Sequence, residues 1–231
     1  MDSSVGIITG IAKAFSEGGV WMFAILGVQI ASIAIIAERV YVLFLQKSKD
    51  QKGIAKMFED DIRNGRIDKA VNKARGLSRS QPIAAVILAG TQAAQDMGGR
   101  EEIQAKMDEI LAFENSKLER RTGFLSMLGN VGTLLGLLGT IVGLIQAFAA
   151  VANLNAVEKS VTLTKGVALA MNTTAYGLIM AIPALVMYAV LMNRTNHLQE
   201  DLNQAAFKVF NWLSFNYQAI PSRPSRPNKS V

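Results

Sequence analysis

Three long runs along the chain carry no charged residue. The first, Gly18 to Ala37, reads GGVWMFAILGVQIASIAIIA. Twenty helical residues rise about 30 Å, the thickness of a bilayer's hydrocarbon core. The second run is Thr122 to Val157 and the third is Gly166 to Asn193. Each is longer than one crossing needs, which predicts tilt or extension beyond the bilayer. The first run is read as an uncleaved span, because no basic segment precedes it and no A-x-A site stands out.

Between the first and second runs the pattern changes to short amphipathic stretches. Helices are predicted over Gly53 to Ile62, Ile67 to Arg75, from Pro82 onward, and Glu101 to Arg121. Gly65, Gly76 and the Gly98-Gly99 pair separate them. Ser80 to Gln95 is also uncharged, but it is short and carries Gln81, Thr91, Gln92 and Gln95. It reads as a buried helix of a bundle and not as a fourth span. After Arg194, the residues Leu198, Leu202, Ala205, Val209 and Leu213 fall on one helical stripe. Before the first span, Ile7, Ile8, Ile11 and Phe15 share a helical face, as in a helix lying at the interface.

The pattern predicts an all-α membrane protein with three transmembrane helices, spans two and three extending into a cytoplasmic helical bundle. The expected boundaries are an interfacial helix over 1–17, span one over 18–45 and a helical domain over 46–121. Span two follows over 122–150, a short loop over 151–164 and span three over 165–193. An amphipathic helix over 194–218 and a disordered Pro/Ser/Arg-rich tail over 219–231 complete the chain.

Composition agrees. Half of the 231 residues are hydrophobic, and the 18% charged fraction falls below the roughly 25% usual in soluble domains. The net charge of +6 could suggest a nucleic-acid partner. Its placement points elsewhere. Lysines and arginines crowd 46–121 and the segment after Arg194, whereas the other side of the spans has Lys13 and Lys159, with Lys165 at the edge. The positive-inside rule therefore puts the large domain and the C-terminus in the cytoplasm. With no cysteine and a single histidine, His197, thiolate chemistry and a histidine metal cluster are excluded. His197 itself reads as an ordinary surface residue. No P-loop, G-x-S-x-G or H-E-x-x-H occurs. No cofactor or metal is expected, and the chain is not read as an enzyme.

Spans two and three each carry a stripe of small residues. In span two these are Thr133, Gly136, Thr140, Gly143 and Ala147. In span three they are Gly166, Ala170, Thr173, Gly177, Ala181 and Ala184, with Thr174 beside them. Small stripes let helix backbones approach closely, and threonine hydroxyls can bond across the interface. The same stripes leave room for a water-lined passage. Both readings fit the pattern. Asn172 and Gln146 are strongly polar for mid-span positions, where such residues face protein or water. Lys165 reads as snorkelling to the interface. Glu38-Arg39 reads as an anchor at the end of span one that could also pair with another chain. Pro183 lies within span three, where a kink is tolerated. No Asp or Glu lies in spans two or three, so any titrating carboxylate in a proton path must come from another chain.

The segment LERRTGFLSMLGNVGTLLGLLGTIVGLIQAF, Leu118 to Phe148, resembles the second-span signature of the MotA/TolQ/ExbB proton-channel family. KGVALAMNTTAYGLIMAIPALV, Lys165 to Val186, resembles its third-span signature, and AERVYVL, Ala37 to Leu43, is similar to its first span. Three spans suggest the TolQ/ExbB branch, since MotA-type chains have four. The resemblance implies an inner-membrane pentamer around two copies of an ExbD/TolR/MotB-type partner, whose single span carries a proton-binding aspartate. It implies a periplasmic N-terminus and second loop, pore-lining second and third spans, and proton-driven rotation coupled to mechanical work on the envelope. The powered process could be import, envelope maintenance or gliding. Thr140 and Thr174 match the family's two pore-facing threonines, with Thr173 and Asn172 as neighbours. Gly136, Gly143, Gly177 and Ala181 would form the packing face. One departure stands out: the glutamate often found five residues before the second threonine is Leu169 here. A non-conducting scaffold and a sodium-driven motor are the alternatives.

Overall fold

The structure, a computed structural model, describes residues 19–46, 50–96, 99–152 and 154–215. The expected interfacial helix over 1–17 and the tail over 219–231 lie outside them. The described residues are helical, with no strand among them. They are α1 (Gly19–Val40), a π-helical turn (Tyr41–Gln46), α2 (Gln51–Lys56), α3 (Glu59–Arg63), α4 (Ile67–Leu77), α5 (Pro82–Gln95), α6 (Arg100–Glu119), α7 (Thr122–Ala150) and α8 (Ala156–Phe215). Two compact units share the chain. One holds the described residues up to 45 together with 119–195, and the other holds 46–118 with those from 196 onward.

The first unit contains the apolar spans. Three helical stretches are long and apolar enough to cross a membrane: Val20–Leu45, the 100–150 stretch that ends in α7, and α8. α1 packs against α7. Ile25, Met180 and Ala181 form a buried cluster with Val28, Leu135 and Tyr176 around it. The opposite faces present large apolar side chains outward, among them Phe23, Ile33, Leu134, Ile145, Ile179 and Val186. A helix that is apolar all round is matched to lipid or to further helices.

The second unit is a small helical bundle. Phe58, Ile62, Ala70, Ala74, Ile83, Ile87, Ile103 and Met107 are buried in it. The stripe Leu198, Leu202, Ala205, Val209 and Leu213 is buried throughout, as its spacing predicts. α5 is the uncharged Ser80 to Gln95 segment; it buries most of its residues within the bundle. Pro82 opens it at a position where the missing N–H costs nothing. The buried Gln51 side chain accepts from the Ile83 N–H at 3.2 Å, satisfying a donor that the helix start leaves open. Gly90 sits where a Cβ would meet the Met107 side chain at 2.6 Å and Leu213 at 3.0 Å. Lys52 pairs with Asp201 at 2.8 Å, and this bond holds the Lys52 ammonium protonated above the ordinary lysine range.

Several boundaries differ from the sequence reading, each for a local reason. The stretch Gly53 to Ile62 is two short helices. Asp50 caps the first through the Gly53 N–H at 2.6 Å, and the chain re-starts at Phe58. Gly76 lies inside α4 and ends nothing, whereas Gly65 takes a left-handed φ of 70° and does terminate a helix. α6 stops at Glu119, and Arg121 adopts φ 66°, rare for a residue with a Cβ. The expected loop over 151–164 is shorter, because α8 begins at Ala156. Asn155 caps it, accepting from the Glu158 N–H at 3.0 Å. Charge marks where a span leaves lipid, but a capped helix passes through Glu158 and Lys159 without a break. Likewise span three and the amphipathic segment after Arg194 form one 60-residue helix.

Replacing Gln51 by Leu should lower stability by about 1–3 kcal/mol, because the buried Ile83 N–H loses its acceptor. Denaturant titration of the detergent-solubilised protein followed by tryptophan fluorescence measures this. An unchanged midpoint would remove the cap.

Candidate functional site

Five glycines of α7 recur at Gly129, Gly132, Gly136, Gly139 and Gly143, in alternating three- and four-residue steps. That is a heptad rhythm, which keeps one face turned to a neighbouring helix. α8 answers with Gly166, Ala170, Thr173, Gly177, Ala181 and Ala184. The contact is backbone on backbone. A Cβ on Gly177 would lie 2.8 Å from the Gly132 carbonyl oxygen and 2.9 Å from Gly136 Cα. A Cβ on Gly136 would lie 3.2 Å from Gly177 Cα, and one on Gly143 would lie 2.9 Å from Ala170 Cβ. Gly132 receives Met180, and Gly129 receives Leu185. Ala181 is buried beside this seam in the cluster with Ile25.

The sequence stripe of span two is thus turned by part of a residue step. Gly129, Gly132 and Gly139 belong to the packed face but were not in it, while Thr133 is exposed and bonds back to the Gly129 carbonyl at 3.1 Å. The signal that finds them is the unbroken heptad of glycines, which the threonine-containing stripe hides.

Thr140 and Thr174 meet at the edge of this seam, both half-buried. Their hydroxyls form a hydrogen bond across the two helices. Thr140 Oγ1 also lies 3.2 Å from the Gly136 carbonyl oxygen and 3.1 Å from that of Ala170. Thr174 Oγ1 lies 3.1 Å from the same Gly136 oxygen. Two hydroxyl protons thus have the two carbonyl oxygens and each other's oxygen as acceptors: when one proton bridges the pair the other goes to a carbonyl, and lone pairs are left over. Turning one hydroxyl away from its carbonyl frees a donor; leaving it in place keeps an acceptor. The pair can thus bond either a carboxylate or a carboxylic acid without a proton leaving threonine. The glycines make this possible, because only bare Cα atoms let the two helices come within reach of a short side chain.

Thr173 is elsewhere. It is 2% exposed, and its methyl group fills the space over Gly139 beside Trp21. Asn172 is exposed and lines a shallow cleft with Lys165, Ala168 and Leu169. So the four sequence candidates separate into a bonded pair, a packing residue and a surface amide. A larger cleft of about 520 Å³ opens between α1, α7 and α8, with Trp21, Gln146, Thr162, Lys165 and Leu169 in its wall. Leu169 contributes only apolar surface there. Toward the other end of the spans, Glu38 takes the Arg121 guanidinium at 2.5 Å and Arg39 at 3.3 Å. The pair holds the start of α7 to α1 where Arg121 bends the chain. Among the described residues no group of acidic and histidine side chains is placed to hold a metal.

Gly177→Ala should destabilise the unit by about 1–3 kcal/mol through backbone crowding, while Gly27→Ala, with open space around it, should be tolerated. Thermal melting in detergent compares the two, and equal melting temperatures would contradict the seam.

Among solved structures, the chain is similar to "Structure of C. jejuni MotAB", from C. jejuni. The match covers 97% of this chain and 98% of that one, at 17% identity and a TM-score of 0.47. No curated protein matches the chain in a sequence search. The family model described as "MotA/TolQ/ExbB proton channel family" matches residues 78–204, a stretch that holds the whole glycine seam and both bonded threonines. On that match, over more than half its length, the chain belongs to the MotA/TolQ/ExbB proton channel family.

Proposed function

We propose that this chain is the ring-forming stator subunit of a proton-driven inner-membrane motor of the TolQ/ExbB type. Five copies would surround two copies of a partner with one transmembrane helix and a membrane aspartate. The observation that carries the reading is the Thr140–Thr174 hydroxyl pair, bonded across two helices that hold no acid at membrane depth. A path built only of hydroxyls and carbonyls solvates a proton carrier but does not titrate near neutral pH. The partner's aspartate supplies the titrating group. Protonated, it donates to a threonine oxygen and passes the apolar wall as a neutral acid. Ionised, it accepts from a threonine hydroxyl and is held. Each charge crossing the field releases about 2.3 kcal/mol per 100 mV, enough to bias such steps in one direction. The periplasmic part of the partner then carries the work to the envelope.

The basic residues around 46–121 and after Arg194 support a cytoplasmic bundle and C-terminus, with the α7–α8 connection in the periplasm. The chain acts as a transport component and not as an enzyme. Leu169, apolar in the wall of the cleft, favours one second reading: a membrane scaffold that binds its partner without conducting.

Thr140→Val and Thr174→Val should each leave assembly intact and reduce proton flux by at least about tenfold, the effect of losing a hydrogen bond to a charged group. Thr→Ser at either position should restore most of it. Thr173→Val should conduct normally, since its methyl group does the packing. Proteoliposomes with a pH-sensitive dye and the co-expressed partner measure all five variants. Full flux in both valine variants would refute the pore assignment, and flux that follows sodium at fixed pH would replace the proton.

A further inference from the structure

The end of the first unit that carries Glu38 has a feature the ion path does not use. Arg39 is 5% exposed, and its Nε and Nη1 have no hydrogen-bond partner. Its remaining nitrogen reaches only Glu38, which Arg121 already holds. The buried Oγ1 atoms of Thr122 and Thr195 are also without partners, as is Arg194 Nη2. Arg194 reaches the Leu43 carbonyl at 3.5 Å, one helical turn beyond Arg39, and its guanidinium lies 5.5 Å from the Phe44 ring centre. Thr122 follows Arg121, and Thr195 follows Arg194. The residues that carry these unpartnered atoms therefore lie on turns of α1, α7 and α8 that the Arg121–Glu38 and Arg194–Leu43 bonds bring to one level. With one exception, Asn115 Oδ1, they are all the buried unpartnered side-chain atoms among the described residues.

Leaving a guanidinium buried without acceptors is costly, and here several donors are left over together. Two guanidiniums, of Arg39 and Arg121, share the Glu38 carboxylate, and Arg194 reaches a main-chain carbonyl and an aromatic ring. What the layer lacks is an acceptor bearing negative charge. Its depth identifies one: Arg39 and Arg194 lie at the ends of uncharged runs long enough to cross the hydrocarbon, where headgroup phosphates gather. We propose that this layer is a binding site for the phosphate of an anionic phospholipid headgroup, held by Arg39 and Arg194 with the Thr122 and Thr195 hydroxyls. The Arg194 side chain is the gate. It is half-buried, held by a long bond to Leu43, and lies against Phe44, whose ring is exposed. Swinging aside, it admits the phosphate to the donors behind it, and the planar guanidinium then grips two oxygens at once.

The test is native mass spectrometry of the full chain in mild detergent, titrated with phosphatidylglycerol, alongside thermal melting with and without that lipid. Wild-type protein should retain the lipid and melt higher with it. Arg39→Met and Arg194→Gln should each bind it about tenfold more weakly, the loss expected for charge-assisted bonds, and should gain less in melting temperature from it than wild type does. Lys69→Gln, an exposed charge in the other unit, should behave as wild type. Should Arg39→Met not fold, Arg194→Gln, at a half-buried position, still decides the matter. Equal lipid retention in wild type and Arg194→Gln would overturn the site. Inorganic phosphate protecting as well as the lipid would overturn the headgroup assignment in favour of a free anion.

Discussion

Everything in the membrane unit rests on how near two helix backbones can come. With Gly136 facing Gly177, α7 and α8 meet without side chains between them, and the space a single methyl would fill is already occupied by main-chain atoms. That closeness places Thr140 and Thr174 within bonding reach. It also leaves the longer side chains of both helices, Leu134, Ile141, Ile145, Ile179 and Ile182, on the outward faces. Lipid is as apolar as leucine, so such packing gains from fit and from hydrogen bonds and not from expulsion of water. One spacing rule in the sequence thus sets the helix contact, the polar pair and the apolar surface together.

Much of this was legible in the sequence, because the bilayer imposes lengths and polarities that few residue patterns meet. The three uncharged runs appear as the long apolar helices, and the Leu198–Leu213 stripe is a buried face. Thr140 and Thr174 do stand together. What escaped was phase and termination. The stripe through Thr133 and Thr140 shares Gly136, Gly143 and Ala147 with the packed face and leaves it at Thr133, since threonine and glycine are both small and a stripe drawn through either satisfies helical spacing. The loop expected over 151–164 counted Glu158 and Lys159 as connection, whereas an asparagine cap begins the helix before them. Thr173 was grouped with Thr174 by adjacency, yet consecutive residues on a helix point about 100° apart. The unpartnered state of Arg39 had no sequence signal at all, because it depends on what the other helices fail to offer.

The middle of the membrane unit and its Glu38 end solve opposite electrostatic problems. Near mid-span there is no net charge, and the two threonine hydroxyl protons are already committed to each other and to main-chain carbonyls, so only lone pairs are left free. At the Glu38 level the charges are concentrated and the donors outnumber their acceptors. A neutral stretch ending in a cationic layer favours negative charge at that layer.

The connection between α7 and α8 is only the few residues from Ala150 to Ala156. A translocating chain therefore delivers the two helices almost simultaneously. Glycine-rich α7 has poor intrinsic helicity and, by itself, a polar-backbone face open to lipid. Its partner arrives before that face must be tolerated for long. The hairpin is suited to entering the bilayer as one piece, so a longer connection would burden biogenesis even if it left the finished protein unaltered.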